Sequence, residues 1–181
     1  MSRIGKKSIV IPQEVEIKIN NNSLVVKGPK GEAVLTIPKE IKVEITDNIL
    51  KVIPAVINKD TKTLWGTTRA HINNLIRGLL EGFKKELELE GVGYRVSVEN
   101  GNVVLKVGYI NLINVKIPED INVEIDKNVI KISGFSKEKV GQFAAKIKSI
   151  KPVEPYKGKG IHYVGERIRR KAGKKIATTT G

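Results

Sequence analysis

Cysteine is absent from this chain of 181 residues, which excludes disulfides and thiolate metal sites and is compatible with a reducing compartment. Histidine is scarce: with His71 and His162 alone, no dedicated zinc site is expected. Aromatic residues are 4% of the chain, and no strand-like stretch carries the paired aromatics on which RRM domains stack single-stranded bases. No apolar run approaches the roughly eighteen residues that span a bilayer. The segment from Met1 to Pro12 lacks the apolar core of a signal peptide. The expectation is a soluble, cytoplasmic protein with no membrane partner.

Catalytic constellations are also missing. His71 falls among apolar neighbours at helical spacing, where a structural role outweighs acid–base chemistry. Gly91-Val-Gly93-Tyr-Arg95 resembles the start of a dinucleotide fingerprint, but a third glycine is missing and a strand follows instead of a helix. Lys27-Gly-Pro-Lys-Gly31 is too short for a P-loop; it reads as a hairpin turn, with RNA contact at its tip as the alternative. Glu86, Glu88 and Glu90 alternate as on a solvated strand face. No enzyme, cofactor, metal or small-molecule substrate is expected.

Positive charge is abundant. Lys and Arg total 33 against 19 Asp and Glu, a formal net charge of +14, which points to a polyanionic partner through phosphate attraction and counterion release. Residues 151–181 carry +7 of it and residues 1–12 another +3, leaving the 138 residues between nearly balanced. Nucleic acid leads; an acidic membrane surface ranks second.

The chain also repeats itself. Ile37–Val52 aligns without a gap on Ile117–Ile132 at an offset of 80, with identities that include Pro38/Pro118, Glu44/Glu124 and Asn48/Asn128. With five fewer residues in the next loop, Gly66, Ala70, Ile72 and Leu75 meet Gly141, Ala145, Ile147 and Ile150. In each copy a period of two, broken by turn signals such as Asp47-Asn48 and Asn100-Gly101, gives way to a helical period. The first helix is expected from about Asp60 to Phe83 with Asp60 or Thr61 as N-cap, the second from a Ser136 cap to the stop at Lys151-Pro152. The fold class is α+β: a tandem duplication of a small unit, mainly antiparallel sheet packed on one helix, plus a basic C-terminal extension. The expected divisions are residues 1–82, 83–152 and 153–181.

That extension is the candidate site. In Pro155-Tyr-Lys-Gly-Lys-Gly160 the proline and glycines break a helix, glycine admits close backbone approach to phosphate, and Lys157 and Lys159 supply charge. Tyr156 suits packing on a ribose or base. Arg167, Arg169, Arg170 and Lys171 follow closely.

These motifs, in order, resemble the bacterial large-subunit ribosomal protein six family. The likeness runs through Ser2-Arg-Ile-Gly-Lys-Lys7, Lys27–Gly31, Trp65-Gly-Thr-Thr-Arg69, Gly82-Phe83-Lys84, Gly91–Arg95 and Glu154-Pro-Tyr-Lys-Gly-Lys-Gly-Ile161. The resemblance implies a non-catalytic component of the large subunit with two similar domains. It further implies binding to an rRNA hairpin near the sarcin–ricin loop, chiefly through the C-terminal domain, with neighbouring ribosomal proteins and translational GTPases as further partners. Carried onto this chain, the contacts are Tyr156, Lys157, Gly158, Lys159, Gly160, His162, Arg167, Arg169, Arg170 and Lys171. Gly91, Gly93 and Arg95 are secondary, as are Arg3, Lys6 and Lys7. Three departures stand out: Gly108-Tyr-Ile-Asn111 where the family has Ser-His after the glycine–aromatic pair, Val153 at the head of the signature, and His162 in place of the more usual Arg. The rivals are a free-standing RNA chaperone or DNA-compacting protein, and a basic nuclease or RNA-modifying enzyme.

Overall fold

The computed structural model describes residues 2–20, 22–56 and 58–173. They fall into two compact units, one of the described residues up to 83 together with 134–137, the other of residues 84–133 with 138–173. Each has its own apolar core.

In the first unit alternating sequence forms β1 (Ile9–Val10), β2 (Glu16–Asn20), β3 (Ser23–Gly28), β4 (Gly31–Thr36), β5 (Ile41–Thr46) and β6 (Ile49–Pro54). They pair antiparallel as two three-stranded sheets, ordered β1-β6-β5 and β2-β3-β4. Asp47 and Asn48 both take positive φ, the two-residue turn that suits strand twist and sets Thr46 opposite Ile49. The apolar face of both sheets is buried against α1 (Lys59–Leu80) through Leu24, Leu50, Ile72 and Leu79, each without exposed surface.

The helix starts one residue earlier than its sequence cues suggest, at Lys59. Asn58 is the N-cap, and Thr61, expected as a cap, sits three positions on and accepts the Asn58 backbone N–H at 2.7 Å. It ends at Leu80 instead of Phe83, because Gly82 turns the chain with a φ of 79°.

The second unit repeats the scheme with β7 (Phe83–Glu90), β8 (Arg95–Glu99), β9 (Asn102–Lys106), β10 (Ile113–Lys116), β11 (Ile121–Asp126), β12 (Val129–Gly134) and α2 (Lys137–Ile150). The β5–β6 and β11–β12 hairpins lie 80 positions apart, as the internal repeat requires. Val140, Phe143, Ala144 and Ile147 of α2 pack on Leu87, Leu89, Ile130 and Ile132. One strand has no partner in the first unit: β13 (Gly160–Tyr163) pairs antiparallel with β7 and makes a four-stranded sheet ordered β11-β12-β7-β13. Among the described residues no helix is long and apolar enough to cross a membrane.

Candidate nucleic-acid interface

The segment expected as a loop followed by a looser arm is built around β13. Ile161 is fully buried opposite Leu89, and its N–H donates to Lys151 O at 2.9 Å, so the segment is tied on both sides. The preceding loop closes on itself: Glu154 N donates to Lys159 O at 2.8 Å and Gly158 N to Glu154 O at 3.0 Å. Past β13 the chain turns at Gly165, with Glu166 N on Tyr163 O at 3.0 Å, and returns until Lys171 N donates to Pro155 O at 2.8 Å. Loop and returning arm therefore lie side by side. Arg170 covers Gly158 closely enough that a Cβ there would stand 2.8 Å from its guanidinium.

This geometry changes the role of the glycines. The Gly158 N–H is engaged within the loop instead of being offered to phosphate. Glycine is needed at 158 for a φ of 77° and at 160 for a φ of 149°, where a Cβ would lie 2.7 Å from Val153 Cα and 2.8 Å from Pro152 O. His162 also needs correction. Its side chain is buried, 5% exposed, because it stands on a strand inside the sheet, so the imidazole presents no contact surface to RNA.

The cations are placed differently. Tyr156 is 56% exposed, Lys157, Arg167, Arg169, Arg170 and Lys171 are exposed, and Lys159 is half-buried. Among the described residues none of these six cations forms an ion pair with a carboxylate, whereas Lys148 is committed to Glu166 at 2.6 Å. The Lys148 ammonium, and next the Tyr163 N–H at 3.0 Å, hold the Glu166 carboxyl below the ordinary carboxylate range. Lys148 also lies over the Tyr163 ring, 4.7 Å from its centre. Glu166 is thus consumed in fixing the turn. The cations on either side of it remain available.

Two supporting contacts were not legible in sequence. Tyr109 donates its hydroxyl to Ile150 O at 3.1 Å and carries Lys151 over its ring at 4.7 Å, bracing the base of the loop. Tyr109 is the aromatic of the glycine–aromatic pair, and the departure from the family pattern at the next two residues, Ile110 and Asn111, left no role assigned to the stretch. Of the secondary candidates, Arg95 is exposed beside a turn in which Gly91 lies against the Tyr94 ring, within 2.5 Å of any added Cβ.

Arg3, Lys6 and Lys7 are exposed on a segment clamped to α1. Gly5 is buried on the Trp65 ring, Trp65 Nε1 donates to Val52 O at 2.6 Å, and Arg69 donates to Lys7 O at 3.2 Å and Ser8 O at 3.4 Å. The Ser2–Lys7 and Trp65–Arg69 motifs are thus each other's partners. Lys27–Gly31 is a hairpin turn whose Lys30 is occupied: its ammonium bonds Glu81 O and its N–H donates to Leu79 O at 3.2 Å. Those bonds cap the end of α1 and leave the tip no free ammonium for RNA. No group of three or more metal-ligating side chains occurs among the described residues.

Residues 11–82 and 90–164 both match the family model described as Ribosomal protein L6. The chain is 45% identical over 175 residues to the large ribosomal subunit protein uL6 of Staphylococcus saprophyticus, covering 96% of this chain and 98% of that one. The uL6 proteins of Staphylococcus aureus strains JH9 and NCTC 8325 match with the same identity and coverage. Coverage of both repeated halves by one family model, at an identity sustained along almost the whole length, confirms the resemblance read from the motifs: this chain belongs to the ribosomal protein L6 family.

Proposed function

We propose that the chain is a structural, non-catalytic constituent of the large ribosomal subunit in the cytoplasm, and that it grips large-subunit rRNA with the surface formed by Tyr156–Lys159 and Arg167–Lys171. The carrying observation is the convergence of cations, none ion-paired among the described residues, on a segment locked into the sheet by β13. Phosphate contact is worth most when the cations are held in place beforehand, since little side-chain and backbone freedom is then lost on binding. The names of the curated relatives point to the same subunit. The bound element is a hairpin near the sarcin–ricin loop, and neighbouring ribosomal proteins and translational GTPases complete the surroundings. Gly91, Gly93 and Arg95, and separately Arg3, Lys6 and Lys7, are auxiliary contacts.

Sucrose-gradient fractionation tests the assignment: the chain is expected in the large-subunit peak, and its absence there would favour a free-standing RNA chaperone or DNA-compacting protein. Lys157→Glu with Lys159→Glu tests the surface. The double variant is expected to bind the hairpin more weakly, with the log–log salt slope reduced by roughly 0.7 to 0.9 for each phosphate that is no longer neutralised. Unchanged affinity and slope would remove the loop from the interface.

A further inference from the structure

The face of the four-stranded sheet turned away from α2 carries charge of the opposite sign to the rest of the molecule. Leu87, Leu89, Ile130, Ile132 and Ile161 point into the core, so the residues alternating with them point outward. Glu86, Glu88 and Glu90 line β7, and Glu124 and Asp126 stand on β11. Only Lys84 on β7 and Lys131 on β12 oppose them, and Lys131 is paired with Asp126 at 3.1 Å. Asp126 foremost, by hydrogen bond and charge, then Glu86 and Glu124 by charge, raise the Lys131 pKa, which places these carboxylates around one ammonium. In a chain of net charge +14 such a face repels RNA and attracts cations.

A second observation comes from His162, which stands opposite Glu88 in the sheet. Its Nδ1 lies 3.0 Å from Tyr163 O, which requires a hydrogen on that nitrogen. Nε2 is buried, lacks any hydrogen-bond partner, and lies 3.8 Å from Glu90 Oε1. A buried ring nitrogen without a hydrogen bond, next to a carboxylate, leaves polar capacity unused at this edge of the acidic face.

We infer that this face docks a lysine- and arginine-rich segment of another polypeptide. A guanidinium or ammonium would bind the half-exposed Glu90 carboxylate beside the buried His162 ring, and further basic side chains would follow the row Glu88 and Glu86 along β7. The spacing suits an extended chain, since alternate residues of a strand share a face.

The test uses the full chain and a short fluorescein-labelled polyarginine peptide at low ionic strength, read by fluorescence anisotropy. Binding is expected, with amide shifts concentrated at residues 86–90, 124–126 and 162. Glu86→Gln with Glu88→Gln and Glu90→Gln is expected to weaken it by about tenfold or more, while Glu14→Gln with Glu16→Gln and Glu40→Gln, an equal change of net charge in the first unit, leaves it intact. No binding by the wild-type chain, equal loss in both triple variants, or shifts centred elsewhere would each overturn the proposal. So would tighter peptide binding after truncation at Gly173, because the chain's own C-terminal lysines would then be the occupant. The wild-type shift map decides the question even if a variant fails to fold.

Discussion

Glu166 shows how one acidic residue in a cationic segment serves architecture. Its folded-state pKa lies below the ordinary value of 4.5, chiefly through the hydrogen bond from Lys148 and then that from the Tyr163 N–H. A depressed carboxylate stabilises the turn above its unfolded pKa, and that contribution is lost as the pH falls through the lowered folded value. The Glu166 side-chain carboxyl is therefore expected to titrate, by carbon-13 NMR, below the ordinary range, and to move back toward it in Lys148→Met. His162 carries the opposite lesson. In sequence it reads as one more residue of the basic segment, and only its position inside a sheet withdraws it from the surface.

At the scale of elements, β13 distinguishes the second unit from the first. Its entry depends on Gly160, where both a φ of 149° and the nearness of Val153 and Pro152 exclude a side chain. Gly160→Ala is expected to destabilise the second unit by about 1–3 kcal/mol and to raise amide exchange at Ile161. Gly165→Ala, at a φ of 79° with nothing within 4 Å, should carry only the conformational cost of about 1–2 kcal/mol. In the first unit, Trp65→Phe removes the bond to Val52 O and is expected to cost about 1 kcal/mol in urea denaturation, loosening the Gly5 segment with it.

For the whole molecule, placement of charge matters more than its total. Lys42→Glu with Lys51→Glu changes net charge as much as the reversal at Lys157 and Lys159, but both positions are exposed on the β5–β6 hairpin. Filter binding to the rRNA hairpin is expected to fall much less for this pair, with a salt slope close to that of the unaltered chain. A loss equal to that of the loop variant would mean that long-range attraction, not a localised grip, governs binding.

Much of this was legible in the residues. Period-two alternation, turn pairs such as Asp47-Asn48 and the eighty-residue repeat determined the duplicated α+β scheme, because these signals are local and side-chain direction follows from them. The family was legible as well, from motifs spread along the chain. Tertiary structure alone decided which residues of the basic segment are outward cations and which belong to a sheet. Strand β13 is short, lacks clear alternation, and exists because β7 offers an edge some seventy residues earlier in the chain. It likewise decided that Lys30 caps a helix and that Glu86, Glu88 and Glu90 join Glu124 and Asp126 on one face. Such relations are set by long-range pairing, which no local pattern encodes.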